Sequence, residues 1–112
     1  MQAIIIDDNE LKIKLIQKCI LLYLSSIEVA DCGTSALNLL KKNKYQYIFI
    51  DHHLPDCKGS DLLEHIKKHH YSSKLISISN DSNILKNYKE IGYDDVLTYP
   101  IHKSVERIFS NT

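Results

Sequence analysis

Three aspartates of this chain stand directly after short apolar runs, and their carboxylates could act together. Asp7 and Asp8 follow the run at residues 3–6, and Asp51 follows the run at residues 47–50. Carboxylates that meet in one crevice repel one another unless a cation compensates, and Mg²⁺ prefers oxygen ligands. A carboxylate beside such a cation can also attack phosphorus and form an aspartyl phosphate. These residue types therefore indicate cation-assisted phosphoryl chemistry, provided that the fold brings the acids together.

The elements that would position the acids alternate between strand and helix patterns along the whole chain. Runs rich in β-formers predict five strands, at residues 3–6, 27–31, 47–50, 75–79 and 95–99. A helix is predicted after each strand; the first covers residues 10–24, the third residues 60–69 and the last residues 102–109. This alternation predicts an α/β fold: a doubly wound (βα)5 three-layer sandwich, flavodoxin-like, with a parallel sheet of order 2-1-3-4-5.

That strand order places the first and third strands side by side at the point where the winding of the sheet reverses. Ligands of open α/β sheets bind at this point, beyond the carboxyl ends of the strands. Asp7, Asp8 and Asp51 would therefore share one crevice. Ser79, at the end of the fourth predicted strand, would lie next along the same edge and could hydrogen-bond a phosphoryl oxygen.

Local patterns predict how the helices begin and which sides they bury. Asp8 or Asn9 would cap the first helix, Thr34 or Ser35 the second, and residues 81–83 the fourth. A stripe of apolar residues, widened by three isoleucines, would face the core from the first helix: Leu11, Leu15, Cys19 and Leu22, with Ile13, Ile16 and Ile20.

Composition predicts one soluble domain over residues 1–112. Lys plus Arg and Asp plus Glu balance at 14 each, so no net charge favours nucleic acid or an anionic membrane as a partner. We expect no signal peptide, because the apolar start reaches Asp7 and Asp8 too soon, and no membrane span, because no apolar run approaches about 18 residues. The cysteines have no metal-site spacing and read as reduced thiols, so we expect a cytoplasmic protein.

With these features in place, nearly the whole chain resembles the receiver (phosphoacceptor) domain of bacterial two-component response regulators. The resemblance is carried by the Ile-Ile-Ile-Asp-Asp motif, the Asp-His-His-Leu-Pro-Asp-Cys-Lys-Gly loop and three further segments, at residues 4–8, 51–59, 28–37, 76–79 and 92–100. It implies a single receiver domain without an output domain.

The resemblance also implies a role for each residue that matches the family's site. Asp51 would be the phosphorylated aspartate and Ser79 the hydroxyl that binds the phosphoryl group. Mg²⁺ or Mn²⁺ would be held by Asp7, Asp8, Asp51 and the backbone carbonyl of His53. The phosphoryl donor would be a phosphohistidine on a sensor histidine kinase or a histidine phosphotransfer protein. A downstream protein would read the signal, a homodimer is left open, and the chain would not be a turnover enzyme.

Two positions depart from the family pattern. Tyr99 stands before Pro100, where the family carries a lysine that pairs with the phosphoryl group, and Val96 replaces the usual switch aromatic. We hypothesise that His102 or Lys103 supplies the missing cation. Lysines of the first helix, such as Lys12, are expected to be simply solvated.

Other functions remain open at this point. The departures favour a pseudo-receiver that acts as a phosphorylation-independent binding module. An aspartyl phosphatase would want an acid where His53 stands, and a flavodoxin-like cofactor binder would want a Gly/Thr-rich loop after the first strand. Adjacent histidines at residues 52–53 and 69–70 suggest zinc only weakly, because no Cys/His spacing accompanies them.

Overall fold

A computed structural model describes residues 2–57, 59–70 and 72–110. Its strands and helices alternate along the chain, as the sequence predicts. The strands are β1 (Gln2–Ile6), β2 (Ser26–Ala30), β3 (Tyr47–Asp51), β4 (Lys74–Ile78) and β5 (Asp95–Leu97). The helices are α1 (Glu10–Ile20), α2 (Gly33–Lys42), α3 (Gly59–His69), α4 (Ser82–Ile91) and α5 (Ile101–Ser110).

All five strands pair in parallel in the order β2-β1-β3-β4-β5, so the predicted doubly wound fold is confirmed. The register sets the level at which each strand leaves the sheet. Ile6 of β1 pairs with Ile50 of β3, and Asp51 pairs with Ile78 of β4. Asp7 and Asp51 therefore emerge side by side at the carboxyl edge, and Ser79 follows one residue beyond the partner of Asp51.

Two hydrophobic cores cover the two faces of the sheet, because successive side chains of a strand point to opposite faces. Ala3, Ile5, Tyr47 and Phe49 join the core beneath α1 and α5. Ile4, Ile6, Ile48 and Ile50 join the core beneath α2 and α3. We call these the α1/α5 core and the α2/α3 core. Apolar residues on both faces explain why the central strands read as continuous hydrophobic runs.

The prediction for the first helix is wrong in its end, and its buried stripe is confirmed for the isoleucines but not for the leucines. Helix α1 ends at Ile20, and its buried residues are Ile13, Ile16 and Ile20. Leu11 and Leu22, from the predicted stripe, are 70% and 81% exposed. Both sets have helical spacing, and the isoleucines are the set that faces β1 and β3 across the α1/α5 core.

The helix ends follow local chemistry, with one unexpected cap. Asn9 caps α1 and Asp81 caps α4, as predicted, each accepting a backbone N–H through its side chain. Helix α2 is capped by Cys32 instead of Thr34 or Ser35, through a long Sγ contact of 3.5 Å to the N–H of Ser35. A sulfur is a weak acceptor, so this cap needs reinforcement from elsewhere.

The last two strands are shorter at their carboxyl ends than predicted. Strand β4 ends at Ile78 and β5 at Leu97, which leaves Ser79 and Tyr99 in the loops beyond the sheet. The peptide bond between Tyr99 and Pro100 is cis. None of the described helices combines the length and the apolar character that a membrane crossing requires.

Candidate metal-binding and phosphoryl site

Asp7, Asp8 and Asp51 converge at the carboxyl edge between β1 and β3. One carboxylate oxygen from each lies within 4.8 Å of the others. Asp7 is buried, Asp51 is partly buried and Asp8 is exposed, so the cluster opens toward solvent on one side. The fold therefore brings the three predicted acids to one point.

The buried Asp7 has the properties of a cation ligand. Its Oδ1 accepts the N–H of Asn9 at 3.0 Å. Its Oδ2 is buried and lies 3.1 Å from the Lys12 ammonium, but among the described residues it accepts no aligned hydrogen bond. Burial raises the pKa of this carboxyl, and the Asn9 N–H and the Lys12 ammonium offset that effect only in part. A desolvated carboxylate gains from a positive charge, so this oxygen and its two neighbours fit a hard divalent cation.

The orientation of Asp51 is set by the loop that follows β3. The backbone N–H of His53 donates to Oδ1 of Asp51 at 3.0 Å. Oδ2 of Asp51 faces the ammonium of Lys12 at 3.8 Å. His53 is therefore next to the site through its main chain, and the use of its carbonyl as a metal ligand stays a prediction.

Lys12 reaches into the acidic cluster, so the expectation that it is merely solvated is wrong. Its Nζ lies 3.1 Å from Oδ2 of Asp7 and 3.8 Å from Oδ2 of Asp51, and its side chain is 20% exposed. Burial lowers the pKa of Lys12, but the contact with Asp7 and the charge of Asp51 outweigh it and raise that pKa above its usual value. Lys12 is therefore a cation held between two of the three acids.

Ser79 lies at the same edge, on the β4 side of Asp51. Its backbone N–H donates to the carbonyl of Leu97 at 3.2 Å, which fixes the start of the loop against β5. Its Oγ accepts the N–H of Asp81 at 3.0 Å and keeps its own proton to donate. Asp81 in turn lies 3.9 Å from Nε2 of His53, so the loops after β3 and β4 face each other across the site.

A sequence model of the response regulator receiver domain matches residues 3–108. The chain belongs to this family. The aerobic respiration control sensor protein ArcB of Escherichia coli K12 is 28% identical over 105 residues, which cover 90% of this receiver and 14% of that protein. The receiver thus spans a small part of that relative. That it forms a single domain without an output domain stays a prediction.

Solved structures agree with this family. A CheY-like receiver domain from Methylobacillus flagellatus superposes with a TM-score of 0.85 at 27% identity, covering 99% of this receiver and 97% of that chain. A Burkholderia pseudomallei response regulator, solved with a phosphorylated aspartic acid and a calcium ion, shares the fold with a TM-score of 0.81 at 21% identity. That match covers 97% of this receiver and 64% of that chain.

The departures from the receiver pattern lie on the β5 side of the site. Tyr99 is 56% exposed, and its backbone N–H donates to Oδ1 of Asn80 at 3.2 Å. A neutral, largely solvent-facing phenol replaces the usual lysine at this position. His102 and Lys103 are exposed on the first turn of α5. Among the described residues, the ion pair of Asp51 is with Lys12 and includes neither of them.

The loop after β3 is also tied to the start of α2. Oδ1 of Asp56 accepts the N–H of Gly33 at 2.6 Å, and Oδ2 accepts the N–H and the hydroxyl of Thr34 at 2.9 and 2.8 Å. These donors, the N–H of Gly33 first, lower the pKa of Asp56. The carboxylate reinforces the weak Cys32 cap from a distant part of the sequence.

Two histidines make polar contacts that hold parts of the fold together. His52 Nδ1 lies 3.0 Å from the hydroxyl of Tyr93, and Nε2 of the buried His70 lies 2.8 Å from the carbonyl of Leu40. Among the residues that the structure describes, the one group with three converging ligand atoms is the aspartate cluster. The described residues therefore give no support to the weak suggestion of zinc.

Proposed function

We propose that this receiver accepts a phosphoryl group on Asp51 in a reaction that depends on Mg²⁺ or Mn²⁺. The observation that carries the proposal is the convergence of Asp7, Asp8 and Asp51 at one point of the carboxyl edge. Asp7, Asp8, Asp51 and the carbonyl of His53 would hold the cation. When bound, the cation neutralises charge on the transferring group.

The transfer exchanges one bond to phosphorus for another. A carboxylate oxygen of Asp51 attacks the phosphorus of a phosphohistidine, an O–P bond forms and the N–P bond breaks. The imidazole of the donor leaves with the electron pair of that bond and takes a proton from solvent. The His53 N–H on Oδ1 holds the carboxylate in orientation, and the Ser79 hydroxyl donates to a phosphoryl oxygen.

The donor would be a sensor histidine kinase or a histidine phosphotransfer protein, and the readout a contact with a downstream protein. A domain in such a pathway would act in the cytoplasm, where ATP-dependent kinases act. It would be a phosphoacceptor and not a turnover enzyme, because the phosphoryl group stays on Asp51 as the signal until it is hydrolysed. The Burkholderia pseudomallei response regulator that shares this fold was solved with a phosphorylated aspartic acid, and this supports the proposal.

The test is the intact mass of the protein after incubation with Mg²⁺ and phosphoramidate. We expect a gain of one phosphoryl group that is absent from Asp51→Asn and absent when EDTA replaces Mg²⁺. An unchanged mass of the wild type would refute the proposal and favour a phosphorylation-independent binding module. A gain that persists in Asp51→Asn would place the acceptor elsewhere.

A further inference from the structure

Tyr99 brings no positive charge to the proposed phosphoryl site, but the ammonium of Lys12, on α1, lies 3.8 Å from Oδ2 of Asp51. We propose that Lys12 is the side chain that binds the phosphoryl group on Asp51, in place of a lysine beside Pro100. The inference rests on the proposed function, because it concerns the same phosphoryl group.

The geometry places the Lys12 ammonium where a phosphoryl group on Asp51 would need positive charge. Nζ lies 3.8 Å from Oδ2 of Asp51 and 3.1 Å from Oδ2 of Asp7. A phosphoryl group joined to Asp51 extends outward from that side chain, and the aspartyl phosphate carries up to two negative charges where the carboxylate carried one. A lysine side chain turns about several bonds, so its ammonium can pass from the Asp7 carboxylate to a phosphoryl oxygen.

Lys12 also borders the same cavity as the predicted phosphoryl-binding hydroxyl. It lines a small cavity at the ends of β4 and β5, together with Ser79, Thr98 and Tyr99. A phosphoryl oxygen that accepts from Ser79 is therefore also directed toward the ammonium. Tyr99 borders this cavity without bringing charge, which leaves Lys12 as the cation among the described residues that line it.

The backbone of Lys12 is fixed by the cap of α1. Its N–H donates to Oδ1 of Asn9 at 3.0 Å, and the N–H of Asn9 donates to Asp7. The segment that carries two of the proposed metal ligands thus also sets the position of the lysine. A partly buried charge is screened less by water and salt than an exposed one, so its contact with a phosphoryl group is effective.

Binding of beryllofluoride, an analogue of the phosphoryl group that attaches to a carboxylate, separates this role from a structural one. In Mg²⁺, Lys12→Gln should bind beryllofluoride about tenfold or more weakly than wild type, because a charge-assisted contact is lost. Its affinity for Mg²⁺ alone, measured by titration without beryllofluoride, should be unchanged or higher. Lys12→Arg should retain most of the beryllofluoride affinity, and Lys18→Gln, an exposed position on the same helix, should match wild type.

A second variant tests whether Lys12 replaces the missing lysine. Tyr99→Lys added to Lys12→Gln should recover most of the lost beryllofluoride affinity. Equal beryllofluoride affinity in Lys12→Gln and wild type would overturn the inference. A parallel loss of Mg²⁺ affinity or of folded circular dichroism signal would also overturn it, since Lys12 would then act through the structure of the site. If wild type takes up neither phosphate nor beryllofluoride, the proposed function fails together with this inference.

Discussion

Among the described residues, Gly92 is the one that adopts a backbone conformation unfavourable for a residue with a side chain. It ends α4 with φ at +125°, where residues with a Cβ are strained. Gly92→Ala should therefore lower the free energy of unfolding by about 1–2 kcal/mol. Urea denaturation followed by circular dichroism measures this loss.

The Lys67 side chain provides a control for this substitution. An added Cβ at position 92 would come within 2.5 Å of Nζ of Lys67, a flexible group that can move away. The loss should therefore be nearly the same in a Lys67→Ala background. If that background removes the loss, the contact with Lys67 is responsible and the backbone explanation is wrong.

Individual site residues differ in how far the sequence reveals them. Asp7, Asp8 and Asp51 can be located because each one ends a recognisable strand and the strand order brings them together. Lys12 cannot be located in the same way, since the direction of a long side chain depends on packing around it. One signal was available: Lys12 lies in the first turn of the helix that follows Asp7 and Asp8, so its side chain starts close to the carboxyl edge of the sheet.

Among the elements, the end of α3 makes the packing against α2 dependent on pH. His70 is buried, and the carbonyl of Leu40 accepts a hydrogen bond from its Nε2–H. Burial lowers the pKa of His70 below its usual 6.5; the hydrogen bond to Leu40 opposes this shift in part, and the charges of Lys44 and His69 reinforce it. The unfolded chain then binds a proton more readily than the folded one, so stability is present above pH 6.5 and is lost as the pH falls below it.

The free energy of unfolding should consequently be smaller at pH 5.5 than at pH 8, and His70→Gln should reduce that difference. Glutamine keeps an N–H for the Leu40 carbonyl but has no titrating group. Urea denaturation at both pH values measures the change, and His102→Gln, an exposed position, should keep the wild-type difference. A full wild-type difference in His70→Gln would show that other groups cause it.

The sequence predicts that helix α1 forms, but it does not determine which side of the helix is buried. Its existence follows from the apolar periodicity, but leucines and isoleucines occupy two sides of the same helix. Apolar spacing cannot choose between two such sides. The choice is made by tertiary packing, because Ile13, Ile16 and Ile20 fit against Ala3, Ile5 and Phe49 in the α1/α5 core.

At the scale of the whole molecule, one sheet joins two cores into a single unit. Ile5 and Ile48 lie on opposite faces of it, and each is 0% exposed. Ile5→Ala and Ile48→Ala should each lower the free energy of unfolding by about 2–5 kcal/mol, because each leaves a cavity. Both variants should unfold in one transition, seen alike by circular dichroism and by tyrosine fluorescence.

Leu22→Ala serves as the control, since this side chain is 81% exposed. Its effect should stay within about 0.5 kcal/mol. Two separate transitions in either isoleucine variant would mean that the two cores unfold independently.

The arrangement of the whole chain was largely predictable, for a physical reason. Strands buried on both faces must be continuous apolar runs, and parallel neighbours need a crossover between them, here a helix. Residues 47–50 satisfy the first condition without ambiguity. The Cys32 cap escaped prediction, because sulfur is a weak acceptor and the carboxylate that reinforces this cap, Asp56, is distant in sequence.

The link between Asp56 and the start of α2 bears on the order in which the chain folds. Its hydrogen bonds to Gly33 and Thr34 join residues that are 23 and 22 positions apart. An isolated α2 would have only the weak Cys32 sulfur for its first free N–H groups. The first turn of α2 should therefore gain part of its stability only when β3 has paired with β1 and brought the loop beyond Asp51 into place. The same pairing that forms the acidic crevice thus also stabilises the start of α2.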